Sequence, residues 1–579
     1  MLSFSRSTLC VAAAFASAAC VSPTADTAPA AIGSAAPPLH PVTAQTDLAL
    51  DDERAVMRLP HIDLSFQIDP AARTITGTAR YRVEVSEAVD RLVFDLDPRY
   101  AIRAVELDGF PLPADAYASA DGKLAITLPR PLPGGYSAEV TIAWHGAPHV
   151  AVNAPWDGGI VWSATPAGEP WIATAIQGEG CDMFWPCIDH SSHRSETIAT
   201  RITVPTGLVA AGNGRLVEEA VNADGTTTWH WLARDPNTYG IALQIGPYEV
   251  ARRDYASRYG TTIPLEFYHL PGNAEGAERL LGELANQIMF MEERFGPYPY
   301  GDEKAGVAET PHLGMEHQTI NAYGNRYRAE PYGHDWLLQH EFAHEWFANQ
   351  LTHASINHMW LHEGITTWTQ PLYLEWARGR MFYEAEMWRQ RQRIVSRVPL
   401  VPPEGTLPDY NDRAAGWGSD IYAKGAWIMH TLRYLVTDEV LFPAITELAY
   451  GTDNPAPGNL APVSRTTDDF QRILEARSGM ALDWFFDAYF YSAELPRLIS
   501  VRSDGALRLE WQTGSDLPFA MPVEIEVDGE RMIAEMTGGV TVIPLPRSAA
   551  HIRIDPDNAI LMHDENVARW QAAQRSARP

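Results

Sequence analysis

The chain is short of positive charge. Its 579 residues include 44 Lys and Arg against 73 Asp and Glu, a formal net charge of −29. Nucleic acids and anionic membrane surfaces are held by basic patches, so the charge argues against both as partners. A cationic peptide is attracted by such a field, although acidity of this degree also serves solubility alone. Cysteine is scarce: of four, only Cys181 and Cys187 lie beyond the first twenty residues. An exported setting permits a disulfide between them; two buried free thiols are the alternative. No internal repeat is visible, and no apolar run is long enough to span a bilayer. The length and a 46% hydrophobic content suffice for about three globular domains.

Residues 1–20 read as an export signal, with the charge of Arg6 followed by a short apolar run from Leu9 to Ala19. The run ends Ser17-Ala18-Ala19-Cys20. This resembles a bacterial lipobox with Cys20 as the lipid-bearing residue, except that Ser17 stands where a large aliphatic residue is usual. Ordinary cleavage after Ala16-Ser17-Ala18 is the rival. The expectation is an exported protein, either lipid-anchored to the cell envelope or soluble in the periplasm or medium, with no other hold on a membrane. Residues 21–50, rich in Ala, Pro, Thr and Ser, are expected to be a disordered linker.

From 51 to 252 polar and apolar residues alternate. His61–Asp69 places Ile62, Leu64, Phe66 and Ile68 on one side, and Arg73–Val85 repeats the pattern with Ile75, Ala79, Tyr81 and Val83. Similar strands are expected at 91–96, 137–144, 199–205, 227–232 and 240–246. They predict an N-terminal domain of antiparallel sheets, a sandwich or saddle. Helical spacing then takes over. Asn273 is expected to N-cap a helix bearing Leu280, Leu281, Leu284, Ile288 and Met291. Further helices are expected at 335–350, from 363 with a kink or early end at Pro371, and at 382–396, 420–436, 438–449, 467–477 and 480–492. The resulting division is a multidomain α+β chain: an α-rich domain at 253–494, a small β-sandwich domain at 495–565 with a hairpin turn at Asp528-Gly529, and a tail at 566–579.

His340-Glu341-Phe342-Ala343-His344 fits the HExxH zinc-hydrolase pattern. Histidines four apart share a helix face, so both imidazoles reach one ion, and the intervening glutamate reaches the water there as general base. The bland alternative is a helix with two surface histidines. A catalytic zinc wants three protein ligands and an open position. Glu363 follows His344 after eighteen intervening residues, within Trp360-Leu361-His362-Glu363-Gly364. The metzincin option needs a histidine at 350, where Gln350 stands. His353, His358 and His362 are nearby candidates that read better as surface residues.

HExxH, eighteen residues, then Glu before Gly resembles the zinc aminopeptidases of the aminopeptidase N and leukotriene hydrolase family. Other stretches agree. Gly314-Met315-Glu316-His317 resembles that family's Gly-x-Met-Glu-Asn. Gln177-Gly178-Glu179 with Pro186-Cys187-Ile188-Asp189 resembles its Gln-x-Glu and Pro-Cys-Phe-Asp. Tyr422-Ala423-Lys424-Gly425-Ala426 and Phe295-Gly296-Pro297-Tyr298 resemble its Tyr-x-Lys-Gly-Ala and Phe-Gly-x-Tyr.

The resemblance implies a thermolysin-like catalytic domain with one zinc ion per chain on His340, His344 and Glu363. It implies Glu341 as general base and Tyr422 as donor to the developing oxyanion. Glu316 and Glu179 would hold the free amine of a peptide substrate, with Gln177 lining the site and the Gly314–Met315 strand pairing with the substrate backbone. His317 and His362 each replace an asparagine, which puts the orientation of Glu316 in question. The pattern closes on a β region near 560, so the large helical C-terminal domain of many relatives is expected to be absent and the cleft more open. The rivals are an endopeptidase, an epoxide hydrolase on the same zinc, and a non-catalytic peptide-binding scaffold.

Overall fold

Alternating stretches become strands because one face is buried while the other stays wet. Met57–Asp69 turns Ile62, Leu64, Phe66 and Ile68 inward, each at most 4% exposed. In the computed structural model, residues 39–576 are described, apart from 329, 411–416, 459, 504 and 547–548. The expected export signal, Cys20 and the linker as far as residue 38 lie outside the described residues.

The largest sheet has eight strands in the order Arg215–Val221, Thr226–Arg234, Thr197–Pro205, Met57–Asp69, Thr74–Val85, Ser137–Gly146, Ala101–Leu107 and Phe110–Pro111. It is not wholly antiparallel as expected. Met57–Asp69 runs parallel to Thr197–Pro205, with Ile62 opposite Ile198 and Phe66 opposite Ile202. A parallel pair needs a long crossover, and the chain between them supplies it by building strands of two smaller sheets. Gln244–Gly246 covers only the end of the segment expected at 240–246, because Thr238–Gly240 forms a 3-10 turn.

A second departure concerns residues 39–50, expected as linker. Thr46 N–H donates to Gly178 O at 3.0 Å, and buried Asp47 accepts from the amides of Ser191 (2.7 Å) and Ile356. These bonds fix a segment whose composition alone suggested no order.

A mixed five-stranded sheet follows, in the order Glu249–Ala256, Thr262–His269, Ala305–Glu309, Asn321–Tyr323 and Gly314–Met315, leaving Gly314–Met315 on an edge. Met315, Ile320 and Ala322 belong to the core of the N-terminal β region; Val307 and Tyr323 belong to the helical core. The sheet therefore stands between the two cores.

Helix α1 (Ala274–Arg294) starts after Asn273, whose amide donates to Glu309 at 2.9 and 3.0 Å rather than capping the helix. Helix α2 (Trp336–Ala343) is shorter than the expected 335–350. Beyond it the amides of Asn349, Gln350 and Leu351 reach carbonyls five residues back, a widened turn that leads into the short strand Leu351–His353. Helix α3 (Trp360–Arg378) begins three residues before Glu363 and passes through Pro371. Residues Trp360–Leu374 are all buried, and this packing outweighs the missing N–H. Then come α4 (Arg380–Arg391), α5 (Trp417–Val436), α6 (Asp438–Tyr450), α7 (Thr467–Ser478) and α8 (Asp483–Tyr489).

Two three-stranded sheets occupy 497–554. Their hairpin turns at Asp528 (φ 51°) and Gly529 (φ 92°), as expected of that dipeptide. Leu509, Trp511 and Phe519 share one hydrophobic cluster with Trp360 and Phe486 of the helical region. The expected tail is instead helix α9 (Glu565–Ser576), held by buried Val567 and by the Gln571 amide on the carbonyls of Gln392 and Ile394.

Candidate metal centre and active site

Asp335 opens α2 by accepting from the amides of Leu337 and Leu338, both at 3.1 Å. Five and nine residues on, His340 and His344 share one face, and α3 brings Glu363 to them. His340 Nε2 and His344 Nε2 are 3.3 Å apart, and Glu363 Oε2 is 3.3 and 3.4 Å from them. Ligands placed tetrahedrally at zinc distances of 2.0–2.1 Å stand about 3.3 Å from one another, so the triangle has the size a zinc ion requires. Glu363 Oε2 is a buried oxygen that accepts no hydrogen bond, which also fits a ligand atom. His344 Nδ1 lies 3.0 Å from Phe347 O and 3.2 Å from Thr366 Oγ1. A carbonyl only accepts, so Nδ1 holds the proton and the Nε2 lone pair faces the triangle. The residues His340, His344 and Glu363 fit a zinc ion.

Around it stand two more carboxylates. Glu316, Glu341 and His344 form a second close group of buried side chains. Burial pushes the carboxyl of Glu341 well above its usual range, and the charges of Glu316 and Glu363 push it further. Burial likewise raises Glu316. The Gln177 amide nitrogen donates to Glu316 Oε1 at 3.0 Å and to Glu363 Oε1 at 2.9 Å, joining the two. Tyr239 donates to Glu316 Oε1 at 3.3 Å. The ring of Tyr422, on α5, stands 6.0 Å from that of His340, with its phenol near Glu363. Burial and then Glu363 hold that phenol protonated well beyond its usual range. A β-carbon on Gly314 would lie 2.3 Å from Glu341 Oε1, so the glycine lets the edge strand approach that carboxylate.

The structure thus brings together His340, His344, Glu363, Glu341, Tyr422, Glu316, Gln177 and Gly314. Met315 is buried beside them with its sulfur on Ile176 N at 3.5 Å. Glu179 lies against Gly158. Its carboxylate fills the room left by the missing side chain of Gly158, where a β-carbon would lie 2.0 Å from Oε2. Burial raises its pKa to about 7, against the Gly158 N–H that favours the charged form. His317 points away from Glu316: its Nδ1 meets Gln244 Nε2 at 3.1 Å. His362 and His353 are not ligands. Their rings stack at 4.4 Å, and His362 Nε2 accepts from His353 N–H at 3.0 Å. Tyr239 was missed by sequence reasoning, since no spacing marks it, and so was Thr366. Cys181 and Cys187 form a disulfide beside the loop that carries Gln177.

Residues 284–489 match the family described as "Peptidase family M1 domain". This stretch, about a third of the chain, is similar to an M1 peptidase domain. Among curated relatives it is similar to "Aminopeptidase M1" of Arabidopsis thaliana, 26% identical over 342 residues that cover 56% of this chain and 37% of that protein. It is similar to "Aminopeptidase N" of Escherichia coli (strain K12), 23% identical over 473 residues that cover 77% and 50%. The chain therefore spans half or less of the length of these two relatives. Among solved structures, a mutant M1 zinc metallopeptidase from Deinococcus radiodurans bound to a Tyr-Ser-Ala substrate superposes with a TM-score of 0.63 at 23% identity, covering 75% of this chain and 94% of that one. Legionella pneumophila aminopeptidase A in complex with aspartic acid gives 0.70 at 17% identity, covering 88% and 59%. At these identities the two structures show the shared M1 fold: a β-rich N-terminal region and a helical catalytic region.

Proposed function

We propose that this chain is a zinc-dependent aminopeptidase that removes the first residue of peptides bearing a free N-terminus. The observation that carries the reading is the junction made by Gln177, which ties a buried carboxylate outside the metal triangle, Glu316, to a carboxylate within it, Glu363. A substrate ammonium held by Glu316 sets its first carbonyl beside the metal ligands. The Gly314–Met315 edge offers backbone groups to the extended peptide. Bound zinc supplies Lewis acidity to the scissile carbonyl and to the attacking water. Glu341 takes a proton from that water and returns it to the leaving amine. The Tyr422 phenol donates to the carbonyl oxygen as charge develops there, an interaction typically worth about 3 kcal/mol. Glu179 faces Gly158, and we assign it a supporting place at the amine end.

Support comes from the M1 match, from the names of the relatives and from the ligand triangle. The test is hydrolysis of paired peptides, one with a free and one with an acetylated N-terminus, with and without a chelator. Cleavage of the free-amine peptide alone, lost on chelation and restored by zinc, is expected. Equal cleavage of both would overturn the reading in favour of an endopeptidase.

We also propose export, on the pattern of residues 1–20, with Cys20 as lipid acceptor or with cleavage after Ala18. A disulfide suits an oxidising compartment. Cell fractionation with metabolic palmitate labelling decides between the two.

A further inference from the structure

Glu345 adjoins a metal ligand, yet its carboxylate serves a different part of the site. It is fully buried, and no Lys, Arg or His forms an ion pair with it among the described residues. Glu345 Oε1 accepts from Thr319 N–H at 2.7 Å and from the Asn321 amide at 3.1 Å. Glu345 Oε2 accepts from the Asn349 amide at 3.2 Å. The same Asn349 nitrogen donates to the backbone carbonyl of Glu316 at 3.0 Å. Asn321 closes the loop by donating to His317 O at 3.0 Å. Every residue in this set is at most 2% exposed.

What these bonds hold is the turn between the edge strand Gly314–Met315 and the strand Asn321–Tyr323. That turn is not at rest by itself. Thr319 adopts φ 60°, a left-handed conformation that a β-branched residue avoids. Its amide hydrogen, aimed at Glu345, fixes it there. Glu345 and Asn349 lie on the widened turn that follows α2, so this short stretch of chain carries both His344 and the clamp on Glu316.

We infer that Glu345 and Asn349 are positioning residues for the reaction: they lock the backbone of Glu316 and thereby set where the amine-holding carboxylate stands relative to the metal ligands. The inference rests on the proposed role of Glu316. It predicts damage to amine recognition with the metal site intact, because neither side chain touches the triangle.

The test is a steady-state series on an aminoacyl p-nitroanilide substrate, with zinc content measured for each variant. Asn349→Leu removes the donor to Glu316 O. Glu345→Ala releases Thr319, Asn321 and Asn349. Each is expected to raise KM about tenfold or more, with kcat within about threefold and one zinc retained per chain. Glu345→Gln keeps an acceptor for Thr319 and Asn321 and is the conservative rescue, expected to recover most of the loss; Asn349→Leu carries the test if the alanine variant does not fold. Glu316→Gln is measured beside them. If it leaves KM unchanged, the amine-holding role of Glu316 falls and the inference falls with it. If Glu316→Gln raises KM but Asn349→Leu and Glu345→Ala leave it unchanged, the inference alone is overturned. A parallel loss of kcat, zinc and KM would also overturn it, by showing a merely structural role.

Discussion

Gly364 and Gly425 meet backbone to backbone where α3 crosses α5. A β-carbon on Gly425 would lie 2.7 Å from Gly364 Cα, and one on Gly364 would lie 2.9 Å from both Gly425 Cα and Ile421 O. Glu363 precedes the first glycine, and Tyr422 lies three residues before the second. The crossing therefore sets the distance between a metal ligand and the phenol assigned to the oxyanion.

Gly425→Ala is expected to push the helices apart, with a stability loss of about 1–3 kcal/mol from overpacking. Displacing Tyr422 by about an ångström should lower kcat roughly a hundredfold. Thermal unfolding and steady-state kinetics on the same preparation check both. An unaltered kcat at lowered stability would show that the crossing is structural only.

Glu341→Gln keeps the shape of the side chain and removes its basicity. Zinc should remain bound, since Glu341 is outside the ligand triangle, while turnover falls by about three orders of magnitude or more. Metal analysis beside single-turnover rates is the measurement. Near-normal turnover would withdraw the proton-transfer role from Glu341.

The Cys181–Cys187 bridge closes a short loop next to the segment carrying Gln177 and Glu179. Replacing both cysteines by serine is expected to remove about 2 kcal/mol of stability by the chain-entropy relation for a loop of this size. It should also raise KM, because Gln177 loses part of its support. Urea denaturation and KM determinations report the two effects separately.

His317 is buried, and burial depresses its pKa to about 3. Above pH 6.5 the ring is neutral folded or unfolded, so its full contribution is present. Below pH 6.5 the unfolded chain binds a proton that the folded chain refuses, and stability is lost as pH falls towards 3. The stability difference between the wild type and His317→Asn should therefore shift by about 2 kcal/mol against the wild type between pH 7 and pH 5. Denaturation curves at the two pH values give the shift; a pH-independent difference would mean that His317 titrates normally.

The parts of the site that follow from spacing were legible in the sequence. His340 and His344 stand a helical turn apart, and Glu363 follows in a motif whose context is specific. The alternating strands around Ile62 and Ile75 were legible for the same reason: period declares face. What was illegible depends on contacts between distant segments. Nothing local to Thr46 and Asp47 tells that they will be tied to Gly178, Ser191 and Ile356, so that stretch read as linker. The parallel pairing of Met57–Asp69 with Thr197–Pro205 is a choice of neighbour, which alternation does not encode. Pro371 was read as a helix breaker because propensity is local, whereas the burial of α3 is not. Glu179 was assigned by a motif, but its direction is decided by an empty slot at Gly158, in a different strand region. Tyr239 has no motif at all and was found only through its bond to Glu316.

Gln177 has one amide nitrogen with two hydrogens, and both are committed, one to Glu316 and one to Glu363. The two carboxylate oxygens can then stand no more than about 6 Å apart. An extended chain advances about 3.4 Å per residue. On the proposed reading, a peptide anchored by its amine at Glu316 has room for a single residue before the metal ligands, and the second carbonyl overshoots them. Hydrolysis then counts in ones. Each product carries a fresh amine and re-enters as a substrate, so a time course on a long peptide should show a ladder of species each shorter by one residue, with single amino acids and no dipeptides released.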